Sequence, residues 1–376
     1  MKRLSVTPRE NYKAKIEELG FQFHTDYWEE KACYSFSNEE IDEIHNASEE
    51  LYKLYCLAAE HVIQNELWEE LCIPEHMVKA IVDSWNEDDL SLYGRFDFVF
   101  KNGVPKLLEF NADTPTSLFE AAVVQWQWKE EVFPSKDQYN NMHEYLVRSW
   151  SDIHKCYGEK HYHFACLMDN LEDATTTSYI MSTASEAKLN TTLMDMEDIV
   201  LVEKEDGSKS FCTPDNESIN AMFKLYPWEW MMNEGFGESI KDVEMSWIEP
   251  TWKLLFSNKA MLPLLYKLFP DCKYLLPCYL EEDARLLGNY CKKPIFSREG
   301  ANIQLVKNYK VDEESFGDYG HEGHIYQELV DIESFDGWHP VIGSWIIGGE
   351  AAGIGIRETI SKITHNMSNF APHIIE

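Results

Sequence analysis

Leu92-Tyr-Gly-Arg-Phe-Asp-Phe-Val-Phe100, followed by Leu107-Leu-Glu-Phe-Asn111, is the stretch that decides the fold. Its side chains alternate with the two-residue period of a strand. Leu92, Gly94, Phe96, Phe98 and Phe100 form one face, and Tyr93, Arg95, Asp97 and Val99 form the other. The apolar face belongs on a core, which leaves Arg95 and Asp97 together on the opposite side. Asn102-Gly103 is a turn signal, and the second segment resumes the alternation, with Glu109 and Asn111 on one face and Leu108 and Phe110 on the other. A hairpin closed around Gly103 sets Asp97 opposite Glu109 and Arg95 opposite Asn111. Opposed residues share a face at about 5 Å. Two carboxylates and an amide oxygen form a hard-oxygen donor set, the kind that holds Mg²⁺ while water and phosphate oxygens complete its octahedron. The same alternation also describes a solvated charged face with one salt bridge, so the hairpin alone leaves both readings open.

Working outward, Ser37-Asn38-Glu39-Glu40 opens a helical region over 38–84. Ser117-x-x-Glu120 reads as a capping box before another helix. From His163 the chain alternates strand (163–168), helix (172–187) and strand (191–203), with a turn at Asp206-Gly207, which suggests an α/β subregion. Residues 251–269 read as a helix that Pro263 kinks. The last third is strand-rich, at 290–296, 302–307, 325–330, 340–347 and 351–357. No repeat or linker appears. The expectation is one interdependent unit, 1–376, with approximate lobes 1–160, 161–250 and 251–376.

Composition removes several classes of function. A chain of 376 residues with 13% aromatics can bury a large core. A net charge of −33 argues against nucleic acid and against an anionic membrane surface, both of which need a Lys/Arg surplus. A basic N-terminus without an apolar run after it does not read as a signal peptide. Nine scattered cysteines without a CxxC read as reduced thiols of a cytoplasmic protein. The close pairs His161/His163 and His321/His324 lack the partner residues of a zinc site. Nothing in the sequence sets an oligomeric state.

The segment Cys291–Asn302 reads as strand, small-residue loop and strand, and such a loop can bring backbone N–H groups against phosphates. It contains no Walker motif and is equally a plain turn. Ile325–Val330 can offer its backbone to an adenine edge or be an ordinary strand. Lys259, inside an apolar helical stretch, reads by itself as a snorkelling surface lysine.

Five segments in order sharpen this. RFDF (95–98), LLEFNADTPTS (107–117), NKAMLPLL (258–265), KKPIFSREGAN (292–302) and AGIGIRE (352–358) together resemble the synthetase domain of glutathionylspermidine synthases, in particular the stand-alone acid–amine ligases that share it. The resemblance spans essentially the whole chain. It implies an α+β, ATP-grasp-like fold with mixed and antiparallel sheets, and an ATP-dependent ligase that joins a small-molecule acid to an amine through an acyl phosphate. It implies Asp97, Glu109 and Asn111 as Mg²⁺ ligands and Arg95 as the catalytic contact to the γ-phosphate. Lys259 and Lys293 would hold ATP phosphates beneath the loop Arg298, Glu299 and Gly300. Gln327, Glu328, Leu329 and Val330 would form the adenine hinge, with Arg357, Lys362, Ile363 and Thr364 lining the same cleft. Asp113, Thr114 and Thr116 would meet a peptide substrate, possible identities including glutathione, and Asp173 an amine. The acidic pair expected at the amine site is matched here by Asp173-Ala174 preceded by Glu172, which puts spermidine recognition in doubt. The amidase domain of the bifunctional enzymes has no counterpart, and hydrolysis of the product is not expected. A Mg-ATP phosphotransferase or ATPase, or a nucleotide-binding regulator, is the alternative.

Overall fold

The computed structural model of the protein describes residues 1–365 and 368–376. The hairpin forms as its alternation predicts. Tyr93–Lys101 pairs antiparallel with Val104–Asn111, with Arg95 opposite Asn111 and Asp97 opposite Glu109. One departure follows from a bulge between Asp97 and Phe98, where the register slips by a residue. Leu107, rather than Leu108, therefore joins Phe96, Phe98 and Phe110 in the main core. Leu108 is turned to the other side, against Val99, Leu276, Val330 and Val341.

The hairpin belongs to a five-stranded antiparallel sheet in the order Asn369–Ala371, Glu350–Thr359, His339–Ile347, Tyr93–Lys101, Val104–Asn111. Strands from the first and last thirds of the chain are thus neighbours. A second five-stranded antiparallel sheet runs Cys278–Tyr279, His324–Glu328, Tyr290–Pro294, Gln304–Lys307, Lys310–Glu314. Val104–Asn111 is an edge strand, so its outward backbone groups need partners. The second sheet supplies them: Gln327 Nε2 donates to Leu107 O (3.0 Å) and Lys293 Nζ to Leu108 O (2.8 Å). Two side chains of the expected nucleotide site therefore also join the two sheets.

The α/β subregion is a parallel sheet in the order Ser246–Ile248, Ala221–Leu225, His161–Cys166, Asn190–Asp195, with the helix Leu171–Glu186 as crossover. Among the described residues no helix is long and apolar enough to cross a membrane.

Three helical expectations change. The 38–84 region is two helices, Asn38–Gln64 and Glu75–Asn86, because Pro74 closes the connection between them by starting the second. The Ser37–Glu40 capping box is present in full. The 251–269 helix breaks at 257–260, ahead of Pro263, which sits within the first turn of Met261–Leu268 where its missing N–H costs nothing. That break holds Lys259 inside the protein, so it does not snorkel. The capping box at Ser117 is absent. Ser117 has φ 70°, and its hydroxyl is shared between Tyr27 Oη (2.9 Å) and Arg357 (3.1 Å). The helix beyond it opens into a wide π-type turn, Glu120–Val124, which carries the Glu120 side chain into the interior.

Candidate functional site

Where the two antiparallel sheets meet, a cleft encloses about 870 Å³ including its open mouth. Eleven residues named from the sequence line it: Asp97, Glu109, Lys293, Gly300, the run Gln327 to Val330, and Lys362 to Thr364. Its apolar walls are Leu108, Ile303, Leu305, Ile332 and Val341, none of which the sequence marked: four read as ordinary strand residues and Ile332 falls between strands. The strand His324–Glu328 ends before Leu329 and Val330, whose backbone leaves the sheet at the cleft. Lys362–Thr364 lies in a bend, and Lys362 is paired with Asp312 at 2.9 Å. Glu328 accepts from Lys101 (3.2 Å).

The charged floor is a connected network. Arg95 grips Asp97 with both arms of its fork, Nε at 2.6 Å and NH2 at 3.1 Å, and gives NH1 to Thr116 O at 2.6 Å. Gly343, paired with Asp97 across the ladder, makes this posture possible; a Cβ there would lie 2.6 Å from Arg95 Cδ. Asn111 Nδ2 lies 3.0 Å from Asp97 and 3.3 Å from Glu109. Lys259 meets Glu109 at 3.2 Å and Ser297 O at 2.8 Å. Lys293 adds a bond to Gln327 Oε1 at 2.8 Å. Burial would raise the Glu109 carboxyl, but Lys259 and Lys293, with hydrogen bonds from Lys259 and Asn111, hold it at about 2. Among the described residues no three His, Cys, Asp or Glu side chains cluster at metal-binding spacing. The donors present are two carboxylates and one amide.

A second pocket holds Arg95, Ser117 and Arg357, and shares Asp97, Val341 and Thr364 with the first. The two volumes therefore meet at Asp97. Arg298 donates to the Thr114 hydroxyl and lies 3.8 Å from Glu229, which fastens the Arg298–Gly300 loop over the 112–117 segment. Glu299, in the same loop, is exposed and its charge acts on Glu172 and Asp173. Asp113 has a different position from the one a substrate contact needs. Both its oxygens are taken within the fold, by Lys224 Nζ (2.8 Å) and by the backbone N–H of Trp228 (2.7 Å).

Beside this pocket the structure gathers carboxylates that the sequence reading only half identified. Asn170 caps the Leu171–Glu186 helix by accepting from the backbone of Glu172 and Asp173, which fixes both acids in the first turn. Burial first, then the charge of Glu172, pushes Asp173 up to about 6. Glu120 was missed. It is fully buried, neither carboxylate oxygen has a hydrogen-bond partner among the described residues, and burial together with Glu172 raises it to about 7. As the closing glutamate of an apparent capping box it carried no signal of this role.

Comparison with known proteins identifies the family. The family model for the glutathionylspermidine synthase preATP-grasp domain matches residues 3–376. A Haemophilus influenzae protein named "Putative acid--amine ligase" is 36% identical, over 99% of both chains. The trypanothione synthetase of Crithidia fasciculata is 29% identical over 80% of this chain, and the bifunctional glutathionylspermidine synthetase/amidase of Escherichia coli 23% identical over 91%. The match spans 49% and 59% of those two longer proteins. The chain belongs to the glutathionylspermidine synthase preATP-grasp family.

Proposed function

We propose that this amide-forming ligase uses ATP and Mg²⁺ to activate a small carboxylic acid, a short peptide such as glutathione, and joins it to an amine. The observation that carries the reading is the junction at Asp97 between an apolar-walled, cation-floored cleft and a pocket built on Arg95 and Arg357. The first suits a nucleotide, with the adenine between Leu108, Ile303, Leu305 and Val341 and the phosphates toward Lys259, Lys293 and the Gly300 loop. The second suits the acid, whose carboxylate would sit near the two guanidiniums and the Thr114 and Thr116 region.

Asp97, Glu109 and Asn111 fit Mg²⁺ by donor chemistry. Turning the Asn111 amide over exchanges its nitrogen for oxygen in the same volume, the usual ambiguity of an amide. When bound, the ion would neutralise phosphate charge during transfer. An oxygen of the acid attacks the γ-phosphorus as the bond to ADP breaks, giving an acyl phosphate and ADP. Arg95 and Lys293 stabilise the charge on the phosphoryl oxygens. The amine then attacks the acyl carbon, phosphate leaves, and the amine's proton passes to a carboxylate. Glu120, Glu172 and Asp173 supply both the anionic seat for an ammonium and groups able to take that proton near neutrality.

The test is turnover with Mg-ATP across short peptides crossed with mono- and polyamines, with amide detected by mass alongside ADP. A phosphorylated product without amide would make the protein a phosphotransferase. Absence of turnover with every pair would make it a nucleotide-binding protein.

Two expected results follow. First, binding of spermidine or butylamine without ATP tightens as pH rises from about 5 to about 8, because Asp173 and Glu120 ionise near 6 and 7. With the site empty the sign reverses. The folded chain holds protons that the unfolded chain has lost above about pH 4.5, so stability falls across that window as pH rises. Calorimetric titration and thermal melts read both, and a flat amine affinity would remove these acids from the amine site. Second, Gly300→Ala weakens nucleotide binding by about tenfold, with the second-sheet fold retained. Gly300 has φ 71°, and a Cβ would meet Thr364 O at 2.4 Å, which forces apart two walls of the cleft. Nucleotide titration measures it.

A further inference from the structure

In an open parallel sheet, ligands settle beyond the carboxyl ends of the strands, at the point where the connections change direction. Here the chain passes from His161–Cys166 to Asn190–Asp195 on one side, whereas Ala221–Leu225 and then Ser246–Ile248 extend the sheet on the other. Leu167, Met196 and Tyr226 are the first residues beyond three of those strands, and they line a cavity of about 790 Å³ including its mouth. It shares no lining residue with the nucleotide cleft or the Arg95 pocket. Its walls are apolar and polarisable, with Met222, Met231 and Trp247 inside and Phe211 edge-on to both Phe236 (5.5 Å) and Trp247 (5.6 Å).

Among the described residues the polar side chains of the lining are Tyr226, Glu197 and Glu234, with no Lys, Arg or His. The Tyr226 hydroxyl donates to Glu234, which orients that carboxylate. We propose that this cavity is a second ligand site, for an organic ammonium with a short alkyl or aryl body. The carboxylates meet the cation, while the aromatic faces and methionine thioethers take the hydrocarbon. The site stands independently of the assignment of the nucleotide cleft. Its wall is shared with the catalytic region through one segment: Met231 lines the cavity, the Trp228 backbone N–H holds Asp113, and Glu229 neighbours Arg298. Occupancy therefore bears on the segment that anchors the 112–117 loop.

The experiment is NMR of the full chain with ¹³C-methyl methionine, titrated with hexylammonium, hexanol and hexanoate in turn. Met196, Met222 and Met231 are assigned by single replacement with leucine. Hexylammonium is expected to shift these three methyls saturably at millimolar concentration, and hexanoate not to shift them. Glu197→Gln with Glu234→Gln weakens the ammonium about tenfold. Glu197 is exposed and Glu234 half-buried, so this variant keeps the fold. Ile199→Trp, which fills the chamber from its half-buried side, abolishes the shifts while the methyl spectrum stays dispersed. Equal responses to all three probes, or none at these methyls, would overturn the proposal.

Discussion

Arg95→Lys is expected to lower kcat by roughly 10²–10³-fold while leaving nucleotide affinity within a few-fold. The argument is one of shape. Arg95 uses its fork on both Asp97 oxygens and its remaining arm on Thr116 O, and Gly343 leaves room for the stem to lie across the strand. An ammonium carries its three donors on one nitrogen and lacks the planar fork, so it cannot span both Asp97 oxygens and Thr116 O in this geometry, and Asp97 and the Thr116 segment lose their common orientation. Charge is conserved, which separates loss of geometry from loss of field. Paired assays of ADP release and amide formation with excess nucleotide make the measurement. A drop of less than about threefold would remove Arg95 from the reacting region and leave it a structural partner of Asp97.

The largest stability effect is expected at Lys224→Met, about 3–5 kcal/mol in urea unfolding. Lys224 and Asp113 are both buried, and the ion pair at 2.8 Å is the reason each tolerates its surroundings. Burial lowers the Lys224 pKa, against which Asp113 acts to keep the charge. Removing the lysine leaves the Asp113 carboxylate in the interior with the Trp228 N–H as its one hydrogen-bond donor among the described residues. Adding Asp113→Asn should recover much of the loss, because the uncompensated charge goes with it. Strict additivity of the two substitutions would show that they do not act as a pair.

The hairpin was legible because period-two alternation and an Asn-Gly turn are local signals, and they set Asp97 opposite Glu109 without knowledge of the rest of the chain. The bulge beside Asp97 was not legible. It depends on packing against strands far away in sequence, and it moved Leu108 from the core to the cleft. The capping box at Ser117 failed for a related reason. The pattern suited a local cap, but Tyr27 and Arg357 compete for the same hydroxyl from distant elements. Glu120 was overlooked along with it. Asp113 shows the reverse case, a residue inside a chemistry-bearing motif whose carboxylate serves to anchor the loop. The cleft walls Ile303, Leu305 and Val341 look in the sequence like any buried strand, since only the facing of two sheets distinguishes a wall from a core.

The central position of Tyr93–Lys101, between Val104–Asn111 and His339–Ile347, has a consequence for biosynthesis. The ribosome delivers Asp97, Glu109 and Asn111 as a hairpin with one open edge, and supplies the strand carrying Gly343 only after the parallel sheet and the second antiparallel sheet have been made. Until then Arg95 lacks the surface it lies on, and the walls of both pockets are incomplete. A nascent chain thus carries its acidic hairpin through the synthesis of two further sheets without a formed cleft around it, and both pockets close only when the strands that follow have paired.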